Sequence, residues 1–117
     1  MEKFLLLFRS SIAEETTFQE MPPEAMQAEI AKWNTWIGGI AAQGKLISTE
    51  GLYPTGRMVA QMGNLVTDGP FAETKEIVGG FMLLHAADYA EAAHFAKGCP
   101  SLEVGGSVEV RQIQNFG

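Results

Sequence analysis

Two short runs decide most of what this chain can fold into. At 4–8 the chain reads Phe4-Leu5-Leu6-Leu7-Phe8, and at 77–84 it reads Ile77-Val78-Gly79-Gly80-Phe81-Met82-Leu83-Leu84. Successive side chains of a strand point to opposite faces, so a strand with one wet face alternates polar and apolar residues. Neither run alternates. Both faces of each must be covered, which places both strands in the interior of a sheet. The first run stops at Arg9 after five residues, too short for a signal-peptide core or a membrane span.

The rest of the chain supplies partners for these strands. Residues 10–21 are polar and mixed and read as a loop. Pro22 and Pro23 precede Glu24 and place a proline in a helical first turn, where its missing N–H costs nothing. Met26, Ile30, Trp33, Ile37, Ile40 and Ala41 then recur at helical spacing, and Gln43-Gly44 ends the stripe with Gly44 as C-terminal cap. Gly38 and Gly39 fall inside this helix but off its apolar face. Residues 46–52 read as a strand, Tyr53-Pro54-Thr55-Gly56 as a turn, and 58–62 with 65–67 as a short hairpin around Gly63-Asn64. Asp68-Gly69-Pro70 reads as a turn. Asp88 is placed to cap a second helix, with Glu91 at capping-box spacing and Tyr89, Ala92, Ala93 and Ala96 as its narrow buried face. Gly98 and Pro100 stop it. Residues 107–113 alternate, Val108 and Val110 against Glu109 and Arg111, so this last strand is peripheral.

The resulting order, β-α-β-(β)-β-α-β, predicts an α+β chain, a ferredoxin-like β-α-β-β-α-β sandwich with an extra hairpin, in which the two doubly apolar strands are central neighbours. Such a sheet carries helices on one face only. The apolar residues of the other face need a cover, and a second copy of the same sheet is the simplest one, so a homodimer is expected. At 117 residues one domain, 1–117, is the natural count.

Charge and composition exclude several function classes. Hydrophobic residues at 46% and charged residues at 19% exclude a disordered chain. Fourteen acidic against eight basic residues give a net charge of −6, which opposes binding to a phosphate backbone. One cysteine excludes an intrachain disulfide framework and suits a reducing cytoplasm, the expected location. Two distant histidines and one cysteine predict no metal, and no glycine-rich phosphate loop is present, so no cofactor is expected.

The block Thr67-Asp68-Gly69-Pro70-Phe71, then Ala72-Glu73-Thr74-Lys75-Glu76 and Gly79-Gly80-Phe81, resembles the YCII-related, DGPF-domain family. Residues 1–8, Glu50-Gly51, Cys99-Pro100 and Gly106-Ser107-Val108-Glu109-Val110-Arg111 add to the resemblance, which covers nearly the whole chain. The resemblance implies a dimeric α/β-barrel of ferredoxin-like subunits and no settled activity. It also implies an alternative role, a non-catalytic dimerisation or regulatory module associated with sigma-factor-type transcription regulators. A His–Asp active site proposed for the founding branch has its His in the first third of the chain. Here no His precedes His85, so that pair has no counterpart.

Read as chemistry, the same residues give a small-molecule-binding or enzymatic protein with a cleft near the Asp68-Gly69-Pro70-Phe71 motif. Asp68 is its candidate catalytic acid, base or ligand anchor, weighed against an Asp that fixes a turn through backbone N–H groups. Arg9, at the end of the first strand, is a candidate anion anchor. Trp36, at the edge of the helical stripe, and Phe71 and Phe81, beside the polar segment with Glu73 and Lys75, are candidate ligand contacts. For Trp36 packing is the competing reading, and for Lys75 a solvated charge cluster. Cys99 reads as a buried, inert thiol and His94 as solvent-facing. With no nucleophile–base pair legible, binding is favoured over catalysis.

Overall fold

The computed structural model describes residues 1–69 and 76–116. In chain order the elements are β1 (Glu2–Ser10), α1 (Ile12–Gln19), α2 (Pro23–Ala42), β2 (Leu46–Gly51), β3 (Gly56–Ala60), β4 (Leu65–Gly69), β5 (Ile77–Ala86), α3 (Tyr89–Ala96) and β6 (Ser107–Gln112), with a short 3₁₀ turn at Pro100–Val104 before the last strand. The chain is α+β.

Four strands form one antiparallel sheet in the order β2-β5-β1-β6. The two doubly apolar runs are therefore central neighbours, and the alternating β6 is an edge, as their patterns predict. Alternation sorts the central strands into two faces. Phe4, Leu6 and Phe8 of β1 and Met82, Leu84 and Ala86 of β5 are buried under the helices, together with Ile40 of α2, Ala92, Phe95 and Ala96 of α3, and Cys99. Each large side chain buried this way contributes about 2 kcal/mol of transfer free energy. The opposite face carries Leu5, Leu7, Phe81 and Leu83, all half-buried, and its edge is set by Glu109 opposite Leu7 and Arg111 opposite Leu5. The molecule is only 19 Å deep along its shortest axis.

The helix α2 follows its sequence signals closely. Pro23 stands at its first position, and Gly44 closes it at φ +71°, a backbone conformation open mainly to glycine. Gly44 N–H donates to Ala41 O at 2.9 Å and Lys45 N–H to Ile40 O at 3.4 Å, the paired bonds of a Schellman motif. Gly38 and Gly39 have no neighbour within 4 Å of where a Cβ would stand, which matches their place off the apolar stripe.

Three sequence expectations are corrected. The stretch 10–21 is not a loop: it contains α1, started by a capping box in which Ser11 Oγ accepts from Glu14 N–H and Glu14 Oε2 accepts from Ser11 N–H. Asp68-Gly69 is not a turn. Both residues belong to β4, whose hairpin with β3 forms a separate two-stranded sheet, while Pro70 lies outside the described residues. The buried face of α3 is Ala92, Phe95 and Ala96, with Tyr89 half-exposed at the helix start. Tyr89 instead packs edge-on against Phe4 at 5.0 Å, and its hydroxyl accepts Gln112 N–H. Asp88 does cap α3 through Glu91 N–H, but the Glu91 carboxylate turns to Ala87 N–H and Lys45 rather than closing the box.

Candidate functional site

At the end of the sheet where β1 leaves it, helices and strands stand apart. Ser11 caps α1 immediately after β1, so the chain folds back and brings Glu14, Glu15 and Phe18 beside the strand ends. On the other side stands the apolar stripe of α2, with Ile30, Trp33 and Ile37. Phe8 and Thr49 of the sheet form the floor, and the turn holding Pro100, Ser101 and Val104 closes a third side. The space between them is a cleft of about 410 Å³, within the range that small organic ligands occupy.

Its floor depends on two glycines. The β1–β5 register passes from Phe8 opposite Gly80 to Arg9 opposite Val78, so Gly79 has no partner on β1 and forms a bulge. Glu15 packs onto this bulge: a Cβ on Gly79 would fall 2.5 Å from Glu15 Oε1. Ser10 Oγ donates to the same Glu15 Oε1 at 2.5 Å. Gly80 is closed in by backbone, since its Cβ would fall 2.7 Å from the Glu50 carbonyl oxygen.

The aromatic wall is rigid. Phe8 meets Trp33 at 5.0 Å and Trp36 at 5.7 Å, and the two indoles meet at 5.7 Å, all edge-to-face. Trp36 Nε1–H donates to Phe95 O at 2.9 Å, and its ring lies over Gly98, where a Cβ would come within 2.9 Å of it. Trp36 is thus packed between α2 and the end of α3, and it is not among the residues lining the cleft.

Lys32 ties α2 to the closing turn. Its Nζ lies 3.2 Å from both Glu29 and Glu103. The hydrogen bond to Glu103, then that to Glu29, holds its ammonium above the usual lysine range.

Of the candidate site residues that are described, Arg9 alone contributes to the wall of the cleft. Its guanidinium belongs to the opposite face of the sheet, with Nε 3.2 Å from Glu76 and Nη1 3.2 Å from Glu109. Phe81 points to that same face, opposite Leu7. Asp68 stands on the hairpin, largely exposed, 3.2 Å from Arg57, its register partner. Phe71, Glu73 and Lys75 lie outside the described residues. Further along, Glu76 pairs with Arg9 and Gly79 lines the cleft.

The residues that sequence reasoning passed over are Ser10, Glu14, Glu15 and Phe18, all in the stretch read as loop. The signal that marks them is the Ser11-x-x-Glu14 capping box. Among the described residues no group of three or more His, Cys, Asp or Glu is placed to hold a metal ion, and no helix is long and apolar enough to cross a membrane.

The family model of the YCII-related domain matches residues 12–117, from the start of α1 onward. The chain belongs to the YCII-related domain family. An uncharacterised protein of Rhizobium meliloti (strain 1021) is 36% identical over 84 residues, covering 62% of this chain and 68% of that protein. The family match spans the glycine pair of β5, the α2 wall and the closing turn alike.

Proposed function

We propose that this YCII-related chain is a small-molecule-binding protein whose site is the cleft between α1, α2 and the end of the sheet. The observation that carries the reading is the cleft itself: about 410 Å³, walled by Phe8, Trp33, Ile30 and Ile37 and edged by the α1 carboxylates. Apolar walls with a few convergent polar groups are what ligand sites share. The interlocked aromatic rings support it, since Phe8 and Trp33 brace each other and present a fixed apolar wall.

The same reading takes the chain as a ferredoxin-like sandwich that pairs through its helix-free face into a dimeric α/β-barrel in the cytoplasm. The strand order β2-β5-β1-β6 and the half-buried Leu5, Leu7, Phe81 and Leu83 support that arrangement.

A thermal-shift screen of aromatic fragments tests the binding site, with Ile30→Trp as the blocking variant. Ile30 lines the cleft yet is 44% exposed, so a larger side chain fills the space without entering the core. Fragments that raise the Tm of the native protein should fail to do so in Ile30→Trp. Hits that stabilise both proteins equally would place the site elsewhere.

A further inference from the structure

Resting on that reading of the cleft, we propose that its ligand is an organic cation: an ammonium or guanidinium group carried on an apolar, aromatic-sized body. The argument is an accounting of donors and acceptors around the space. Each side-chain hydroxyl that lines it already has a partner within the protein. Ser10 donates to Glu15, Thr49 Oγ1 donates to Phe81 O at 2.8 Å, and Ser101 Oγ is held by the Cys99 thiol at 3.2 Å. The charge of Arg9 is paired on the opposite face of the sheet, its Nε on Glu76 and its Nη1 on Glu109.

Acceptors are left over. Glu14 uses Oε2 on its cap, Glu15 uses Oε1 on Ser10, and Glu29 uses Oε1 on Lys32. Among the described residues no donor reaches the second oxygen of any of the three. A carboxylate accepts through both oxygens and donates through neither. A ligand entering here meets carboxylate oxygens that no protein donor holds, and a negative field, so an anion is repelled and a donor cation gains charge-assisted hydrogen bonds. The remaining wall, Phe8, Phe18 and Trp33, offers aromatic faces to the body and to the cation.

Three probes of one shape separate charge from fit: 3-phenylpropylamine, 3-phenylpropanol and 3-phenylpropanoate, titrated calorimetrically at 0.15 M salt. The amine should bind at least about tenfold more tightly than the alcohol, and the carboxylate most weakly. Glu15→Gln and Glu29→Gln should each cut amine affinity several-fold and leave the alcohol unchanged, while Glu24→Gln, a charge change outside the cleft, should alter nothing. Equal binding of amine and alcohol, preference for the carboxylate, or no binding of the amine overturns the cation. If Ile30→Trp still blocks the alcohol or the carboxylate, the cleft stands and only the ligand class falls. If the amine binds but Ile30→Trp leaves it unaffected, the cleft falls too.

Discussion

Glu15 lays its carboxylate directly on Gly79: a Cβ there would stand 2.5 Å from Glu15 Oε1. The neighbour is the far end of a flexible side chain, so Gly79→Ala has a cheap escape. Glu15 swings away, loses its bond to Ser10, and the strand gains an alanine's lower unfolded-state entropy; the net change in stability should stay within about 1 kcal/mol. Gly80 has no such escape, because the atom 2.7 Å from its Cβ position is the backbone carbonyl of Glu50 on β2. Gly80→Ala has to push two paired strands apart and should cost about 1–3 kcal/mol. Urea unfolding of the two variants checks the order. Gly79→Ala should also weaken binding of any ligand that uses Glu15.

The second prediction concerns Asp68. On β4 it faces Arg57 with both side chains largely exposed, and exposed pairs of this kind contribute little. Asp68→Ala and Asp68→Asn should each shift stability by no more than about 0.5 kcal/mol, without the rescue of Ala by Asn that a turn-fixing carboxylate would show. Both variants should keep the cleft's ligands. Loss of binding in Asp68→Asn, followed by titration, would return Asp68 to the centre of the site.

These contrasts mark where the fold was legible. The central strands announce themselves because burial on both faces removes alternation, and β6 because one wet face restores it. The helix α2 is written in a long stripe with a proline start and a glycine stop. By contrast, α1 buries too little to show an apolar face. Its only signal is chemical, the Ser11–Glu14 box, and that signal is short. In α3 the spacing points to Tyr89 where Phe95 is buried, since an aromatic at the first helical position can lie across the neighbouring strand rather than under the helix. The cleft was least legible of all. Its walls come from two helices, three strands and a turn, and no spacing along the chain brings Glu15 to Gly79 or Trp33 to Phe8.

The third prediction is a pH dependence. Lys45 Nζ reaches Glu91 Oε1 at 2.8 Å, joining the start of β2 to α3. The bond from Lys45, then that from Ala87 N–H, holds the Glu91 carboxyl below the usual glutamate range. A carboxyl depressed in the folded state contributes stability above its unfolded value, near 4.3, and that contribution disappears as pH falls through the lower folded value. Glu91→Gln should flatten that part of the acid limb of a Tm-against-pH curve and leave the slope above pH 6 unchanged. An identical acid limb in the variant would count against the pair.

Cys99 gives the fourth. It is 2% exposed, and burial pushes its thiol up from the ordinary range. Native protein should react with a thiol reagent at neutral pH far more slowly than unfolded protein. The sign for stability follows from proton counts. Above the ordinary thiol range the unfolded chain has released this proton and the folded chain has not, so the thiol's contribution is full at neutral pH and declines in alkali. Cys99→Ala should lessen that alkaline decline. A native thiol that reacts as fast as the unfolded one would show the site open.

The last prediction concerns the helix-free face. Leu7 is flanked by Phe81 on β5 and Glu109 on β6, and Leu5 by Leu83 and Arg111, so an apolar strip two strands wide is bordered by charges of both signs. A two-fold axis through that strip would set apolar against apolar, with each border within reach of its opposite charge. The native protein should therefore sediment as a dimer at micromolar concentration. Leu7→Asp places a carboxylate in the middle of the strip, where pairing would bury it beside its own copy without a counter-ion. Within one subunit Leu7 is only half-buried and lies away from the core, so the variant should keep its far-ultraviolet spectrum and most of its stability while sedimenting as a monomer. A native monomer, or a Leu7→Asp protein that remains a folded dimer, would mean that this face is covered by something other than its own copy.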